Sequence, residues 1–149
     1  MKLKSSLSIL ALACTMVFTS CSKDESSSEK KNIVQEVTYD IFDVANSGVT
    51  GTATFTHEDN GSTHVLIELN GSDTSINPAF INYNSAAVGG DVAISLKVCT
   101  CSISNTTITK FDNGETITFE ELIGLNGHIT ILDDNDVIVA VANIGSNAI

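Results

Sequence analysis

Cys99 and Cys101 are the residues whose type and spacing could most readily do chemistry in this chain. In a flat strand, residues two apart have Cα atoms about 6.5–7 Å apart, at the edge of what a disulfide can bridge. A bond between them would require a bend, in a turn at the end of a strand. Three states stay open: a local, strained and easily reduced disulfide, two free thiols, or a soft-metal site such as Cu(I) with a nearby histidine.

The three histidines, His57, His64 and His128, offer metal-binding or acid–base chemistry. His57 and His64 flank an Asn-Gly turn and could meet across a hairpin, but two solvent-exposed histidines at strand ends are the more common arrangement. We expect His128 to begin a strand and to face solvent. No ordering of Ser, His and Asp predicts a catalytic centre. We therefore assign no catalytic residue, no metal ligand and no cofactor.

The segment Asp133-Asp134-Asn135-Asp136 could supply oxygen ligands to calcium. It lacks the glycine and the distal glutamate of an EF-hand loop. Because Asp and Asn are common in tight turns, the segment predicts a hairpin turn between the last two strands.

Cys21 stands between an apolar segment and a polar one, as a lipid attachment site does. Two lysines near the N-terminus precede an uncharged, mostly apolar run of 12 residues, Leu7 to Phe18. That run is typical of a signal peptide and too short to span a bilayer, which takes about 20 residues. The sequence Phe18-Thr19-Ser20-Cys21 resembles a lipobox. We predict a lipoprotein signal peptide at residues 1–20 and a lipid on Cys21; the alternative is an ordinary cysteine in a secreted protein.

Residues 21–32 predict a lipidated, disordered tether, because residues 22–31 contain no aliphatic or aromatic side chain. The cluster Lys23-Asp24-Glu25 directly after the cysteine resembles the export signal of Bacteroidota surface lipoproteins. The resemblance implies an outer membrane lipoprotein displayed at the cell surface, with a periplasm-facing anchor as the alternative. The several acyl chains that a bacterial lipoprotein carries suffice for stable anchoring.

Composition limits what the mature chain can do. Removal of 20 of the 149 residues leaves 129, enough for one domain with its own core. Two of the seven lysines lie in the predicted signal peptide, so five lysines face 18 acidic residues and the net charge is −13. Phosphate contacts need a basic face, so nucleic-acid binding is not expected. Once Cys14 is removed and Cys21 lipidated, Cys99 and Cys101 remain, in a compartment where disulfides persist.

Residues 33–149 predict an all-β domain. Val, Ile and Thr are abundant and turn signals recur at short intervals. The strongest signal is Asn60-Gly61, which predicts a hairpin between strands at 50–57 and 63–69. About eight short strands favour a β-sandwich. The other predicted elements are strands at 33–44, 79–82, 91–98 (with Val92, Ile94, Leu96 and Val98 on one face), 103–111, 128–132 and 137–144, and a helical turn within 118–125.

Several short motifs follow one another in order between residues 36 and 147. They are Gly51–Phe55, Asn60–Thr63, Leu69–Gly71, Pro78–Asn82, Ala86–Gly90, Val92–Leu96, Phe111–Gly114, Phe119–Leu122, Asn126–Gly127 and Asn143–Asn147. Together they resemble bacterial CHRD domains, named after chordin, in their Bacteroidota branch. The resemblance implies a Greek-key β-sandwich over residues 33–149, immunoglobulin-like and similar to Cu,Zn superoxide dismutase.

The chain departs from this family at the positions that would bind metal. Bacterial CHRD domains typically read Pro-Ala-His-Ile-His, and in the dismutase a His-x-His pair ligates copper. Here the two histidine positions are Phe80 and Asn82. A phenyl ring cannot ligate copper and an amide is a poor ligand, so the resemblance implies a fold and not a metal site.

We therefore expect a lipid-anchored, surface-exposed, non-catalytic β-sandwich domain that acts as a binding or envelope interaction module. It would contact the membrane through the lipid on Cys21 and an extracellular or envelope partner through its surface. The alternative is a copper- or other metal-binding, superoxide dismutase-like protein. The fold resemblance and the pair Cys99 and Cys101 motivate that alternative, and the missing histidine pair disfavours it.

Overall fold

The computed structural model describes residues 35–72 and 76–148. The predicted signal peptide, the lipidation site Cys21 and the tether lie outside the described residues, as does the start of the strand predicted at 33–44. The described residues form ten strands and one short helix. In chain order these are β1 (Glu36–Asp43), β2 (Thr50–His57), β3 (Thr63–Asn70), β4 (Ile76–Asn77), β5 (Ala79–Tyr83), β6 (Val92–Ser95), β7 (Cys99–Thr100), β8 (Ile103–Ile108), α1 (Phe119–Ile123), β9 (Asn126–Leu132) and β10 (Ile138–Gly145).

The ten strands belong to one antiparallel sheet that curls around a single core. Its strand order is β4-β7-β8-β3-β2-β1-β10-β9-β5-β6. β4 and β5 are separated by Pro78 alone, yet they lie near opposite edges, so the sheet must bend back on itself. The prediction of an all-β domain is confirmed. The finer organisation, a Greek-key sandwich of immunoglobulin or dismutase type, stays a prediction.

Side-chain hydrogen bonds join the two ends of the curled sheet. The segment that follows edge strand β6 lies against β8, near the other edge. There the N–H of Lys97 donates to Oγ1 of Thr106 (2.9 Å), and the hydroxyl of Ser104 donates to the carbonyl of Lys97. Ser104 and Thr106 are both buried. These contacts give their hydroxyl groups hydrogen-bond partners, and burying the hydroxyl groups without partners would cost free energy.

The hairpin predicted at Asn60-Gly61 is confirmed. β2 and β3 pair along their whole length. The side-chain oxygen of Asn60 accepts the backbone N–H and the hydroxyl of Ser62, at 2.9 and 2.6 Å. Gly61 has a φ of +83°, which glycine adopts without steric cost. Alternate side chains face the core, and four of them are fully buried: Ala53, Phe55, Val65 and Ile67.

The strand predicted at residues 91–98 is shorter and less regular than its alternating pattern indicated. β6 ends at Ser95, whose N–H and hydroxyl both bond to the carboxylate of Asp112. Ala93 is the extra residue of a bulge against β5, so it is buried beside Ile94. The predicted single apolar face is therefore wrong at both ends, where two side chains are 45% and 43% exposed: Val92 and Val98.

The helical turn predicted within residues 118–125 is confirmed as α1. Thr118 accepts the N–H of Glu121 (3.2 Å), and the Glu121 carboxylate accepts the N–H of Thr118 (2.9 Å), which makes a capping box. Phe119 and Leu122 are buried in the core. In the part of the chain that the structure describes, no helix has the length and apolar character needed to cross a bilayer.

Candidate binding groove between β1 and β10

A groove of about 490 Å³ opens where β1 and β10 separate. β1 pairs with β2 over residues 36–41, but with β10 only at Phe42 and Asp43. β10 instead stays paired with β9 as far as Gly145. The two strands therefore diverge from their contact at Phe42, and the groove lies between them.

The backbone N–H and carbonyl groups of successive residues in β1 point alternately toward β2 and toward the groove. The N–H of His57 donates to the carbonyl of Gln35 (2.9 Å), so Gln35 and every second residue after it face β2. Val44 has the opposite parity and donates its N–H to a carbonyl of β10 (3.0 Å). Thr38 and Asp40 share the parity of Val44. Their N–H and carbonyl groups consequently point into the groove, where no strand of the described residues pairs with them.

Tyr39 holds the two strands apart from inside the core. Its hydroxyl accepts the N–H of Gly145 (3.3 Å) and donates to the carbonyl of Ile123 (3.4 Å). Its ring lies edge-to-face against Phe55, with the ring centroids 5.3 Å apart. The Gly145 N–H, which would bond to β1 if the pairing with β10 continued, is thus satisfied by a side chain.

The side chains around the groove combine an aromatic ring with uncommitted polar groups. Phe42 is 63% exposed. The carboxylate of Asp40 has no hydrogen-bond or ion-pair partner among the described residues. Asn143 accepts the N–H of Ala86 through Oδ1 (2.9 Å), while its Nδ2 has no acceptor in the same residues. An apolar surface with a few converging polar groups is what a binding site for another molecule requires.

The described residues, to which the groove belongs, are strongly acidic. The described residues contain two lysines, Lys97 and Lys110, and 14 acidic residues, for a net charge of −12. Three of the carboxylates belong to β1, which forms one wall of the groove: Glu36, Asp40 and Asp43. Of these, Asp40 lines the groove. A positively charged ligand would therefore be attracted to this face, and an anionic one repelled.

Phe80 and Asn82, at the positions where the resemblance places a histidine pair, lie on β5. Asn82 is buried and donates from Nδ2 to Oγ1 of Thr130 (2.7 Å). His128 on β9 is its direct cross-strand neighbour. In residues 35–72 and 76–148, no three His, Cys, Asp or Glu side chains are grouped so that they could hold a metal ion.

The expectation that His128 begins a strand in solvent is wrong. His128 is the third residue of β9 and is only 6% exposed. Its Nδ1 lies 2.8 Å from the carbonyl oxygen of Asn84, and because a carbonyl can only accept, Nδ1 carries the proton. The loop that begins at Asn84 also bonds to β10 through Ala86. This loop covers the ring, and the alternation of β9 alone could not indicate that.

His57 and His64 do not form a site together. His57 shares the core-facing parity of Phe55 and stacks on Phe119, with ring centroids 5.2 Å apart. His64 lies on the opposite face of the sheet, where its Nε2 contacts Oδ1 of Asn105. The two rings therefore cannot approach each other across the hairpin, and both are half-buried rather than exposed.

Cys99 begins the short strand β7, and Cys101 lies in the turn that follows it. β7 and β8 are joined by a two-residue turn in which Cys101 and Ser102 have φ values of +50° and +71°. Both cysteines are free thiols, Cys99 buried and Cys101 exposed. Burial raises the pKa of the Cys99 thiol to about 11, against a smaller opposing effect of a backbone hydrogen bond. A disulfide or a soft-metal site at this pair stays a prediction.

The Asp133–Asp136 segment is the hairpin turn between β9 and β10, as predicted. One carboxylate oxygen of Asp133 accepts the N–H groups of Val137 (2.9 Å) and Asn135 (2.8 Å). These two bonds, that to Val137 first, hold the pKa of Asp133 below its usual value. The Asp133 carboxylate is thus committed to stabilising the turn.

Sequence reasoning missed the groove. Tyr39 and Ile41 mark the buried face of β1, so Phe42 is an aromatic residue out of phase with the core. The alternation of buried and exposed positions in β1 is visible in the sequence and could have identified Phe42 as an exposed aromatic ring. The sequence does not show which strand lies on the second edge of β1, because β10 is about 100 residues away in the chain.

Comparisons with known proteins identify no relative. No protein-family model, no curated protein and no solved structure matches this chain. The function must therefore be argued from its own residues.

Proposed function

We propose that this chain is a lipid-anchored, surface-exposed, non-catalytic binding module built on a CHRD-like β-domain. The observation that carries the proposal is the groove between β1 and β10. It combines an exposed aromatic ring, Phe42, with polar side chains and backbone groups that have no partner among the described residues. Such a combination serves recognition of another molecule and requires no catalytic group.

The N-terminal sequence supports the anchor. The motif Phe18–Cys21 supports a lipid on Cys21, and Lys23-Asp24-Glu25 supports display on the outer face of the outer membrane. A tether between the lipid and the domain leaves the groove accessible to an extracellular or envelope partner. A periplasm-facing anchor is the alternative location for the same module.

The anchor is tested in cells that express the full chain, with an alkyne-labelled fatty acid in the medium. We expect the wild-type chain to carry the label and Cys21→Ser to lack it. Protease added to intact cells should remove the domain. Cleavage only after lysis would place the domain in the periplasm, and a labelled Cys21→Ser chain would remove the anchor from the proposal.

The binding function is tested with a photo-crosslinking amino acid at residue 42, in the groove. The matched control carries it at Val137, which is 53% exposed in the turn between β9 and β10. Irradiation of intact cells should produce a discrete crosslinked species from residue 42 and none from residue 137. If residue 42 yields no product, or both positions yield the same products, the groove is not a binding site.

Metal handling is the second candidate function, motivated by Cys99 and Cys101. Two observations count against it: Cys99 is buried with a raised pKa, and Cys101 is exposed in the turn. A titration of the full chain with Cu(I) and Zn²⁺, followed by calorimetry, decides between the two. Tight stoichiometric binding that is lost in Cys99→Ser/Cys101→Ser would favour metal handling over a binding module.

A further inference from the structure

We infer that the groove binds an extended, lysine- or arginine-containing segment of a partner protein, which adds to the sheet as a strand beside β1. This inference rests on the proposed binding function and specifies the chemistry of the partner. It follows from two independent properties of the groove, its unpaired backbone and its charge.

The first property is an open strand edge. Thr38 and Asp40 direct their N–H and carbonyl groups into the groove and have no strand partner there among the described residues. Successive groups on one edge are about 6.8 Å apart, which matches the spacing along an incoming strand. Such an edge is a template for strand addition, the peptide-recognition mode that uses backbone hydrogen bonds for affinity.

The two outer edges of the sheet, in contrast, are protected. On β6, the carbonyl of Ala93 accepts the N–H of Asp112, whose carboxylate also takes the N–H of Ser95. The opposite edge strand, β4, has only two residues, Ile76 and Asn77. Covering an edge or shortening it are the usual ways to prevent strand addition. Among the described residues, the edge of β1 at Thr38 and Asp40 has neither protection.

The second property is charge complementarity. The described residues have a net charge of −12, and Asp40 places an unpartnered carboxylate at the groove. Phe42, two residues further along β1, also lines the groove and is 63% exposed. A lysine or arginine side chain can lay its aliphatic stem or its cationic group on such a ring while its charge meets the carboxylate. An acidic segment would be repelled, so the occupant should be basic.

Fluorescence anisotropy of the full chain in detergent with synthetic peptides tests both properties. The probe is a labelled peptide of alternating lysine and threonine. One control replaces each lysine by glutamate, and a second carries N-methyl groups on alternate backbone nitrogens, so that it keeps the charge but cannot donate along one edge. We expect the lysine peptide to bind and each control to bind at least about tenfold more weakly. Equal binding of the methylated peptide would overturn strand addition, and equal binding of the glutamate peptide would overturn the basic partner.

Two substitutions at Thr38 locate the binding. Thr38→Pro removes an N–H that faces the groove and leaves the backbone hydrogen bonds between β1 and β2 in place, whereas Thr38→Val keeps the N–H. Both variants lose the contact of the Thr38 hydroxyl with that of Thr54 (3.0 Å), so the valine variant controls for that loss. We expect the proline variant to weaken binding of the lysine peptide by about tenfold or more and the valine variant to change it by less than about twofold. Unchanged binding in a folded Thr38→Pro chain would contradict the inference.

Asp40→Asn provides a test that does not depend on tolerance of proline. Removing this carboxylate should weaken binding of the lysine peptide about threefold and reduce its salt dependence. An unchanged affinity and salt dependence would mean that the groove does not recognise a cation. The methylated peptide and Asp40→Asn thus decide the question even if Thr38→Pro does not fold.

Sedimentation of the full chain tests whether a second copy occupies the edge instead. A concentration-dependent dimer that disappears in Thr38→Pro would assign β1 to self-association and overturn the inference. If the lysine peptide does not bind while residue 42 still yields a specific crosslink, the binding function stands and the basic strand is wrong. If both fail, the proposed function fails as well.

Discussion

The β2–β3 hairpin and the β1–β10 junction are two antiparallel contacts that end differently. β2 and β3 stay paired from Thr50 and Asn70 to the turn, and the side chains in the middle of their core-facing side are fully buried. β1 and β10 pair at Phe42 and Asp43 and then separate. The hairpin is paired throughout, while at the junction one edge of β1 has no strand partner among the described residues.

The difference follows from what each contact has to satisfy. In the hairpin, a short turn brings adjacent segments together, and every backbone group on the paired edges finds a partner. At the junction, Tyr39 supplies a hydroxyl to Gly145, so β10 can turn away from β1 without losing that hydrogen bond. A side chain in the core therefore makes a backbone edge available for binding.

Substitution of two phenylalanines, one in each region, should give the largest difference in the free energy of unfolding. Phe55 in the hairpin is 0% exposed, and Phe42 at the junction is 63% exposed. We expect Phe55→Ala to lower the free energy of unfolding by about 3–5 kcal/mol, because it leaves a cavity in the core. Phe42→Ala should change it by no more than about 0.5 kcal/mol. Urea denaturation measures both, and a large loss in Phe42→Ala would mean that the ring is structural.

Two glycines with positive φ separate backbone strain from steric conflict. Gly61 in the hairpin turn has open space where a Cβ would lie, whereas a Cβ on Gly71 would lie 2.3 Å from the carbonyl oxygen of Gly48. Gly61→Ala should cost about 1 kcal/mol from the left-handed backbone alone. Gly71→Ala should cost more than about 2 kcal/mol, because the clash adds to the strain. Equal losses of stability in thermal unfolding would contradict the close approach of residue 71 to the carbonyl oxygen of Gly48.

The two thiols should differ in reactivity. In a full chain with Cys14→Ser and Cys21→Ser, maleimide at about pH 8 should modify the exposed Cys101 and leave the buried Cys99 unmodified. Since burial raises the pKa of Cys99 to about 11, its modification in the native state should become appreciable only toward that pH. Mass spectrometry counts the adducts. No adduct even in denaturant, with two adducts after reduction, would demonstrate a disulfide instead.

The smallest expected effect is at the turn between β1 and β2. Ala45 has a φ of +55°, followed by Asn46 at +59°. Alanine is strained in this left-handed region and glycine is not. Ala45→Gly should therefore stabilise the chain by about 0.5 kcal/mol, with urea denaturation as the measurement. A loss of stability would mean that the turn tolerates alanine without strain.

The sequence predicts the parts of this fold that depend on residues close together in the chain, and it does not predict the parts that depend on contacts between distant residues. Asn60-Gly61 and its alternating flanks predict the hairpin correctly because all the determinants are close in the chain. The pattern of β6 misleads, since a bulge at Ala93 shifts its face. His128 is buried by a loop whose position no periodicity encodes. The groove depends on the separation of β1 from a strand about 100 residues away, which is a tertiary property.

Amide hydrogen exchange of β1, measured by NMR on the full chain, tests the open edge most directly. If the edge is open, the exchange rates of successive amides in β1 should alternate. The N–H groups of Val37 and Tyr39 face β2 and should exchange slowly. Those of Thr38 and Asp40 face the groove and should exchange at least about a hundredfold faster. Comparable protection of all four amides would show that the second edge of β1 is already paired and would contradict the account.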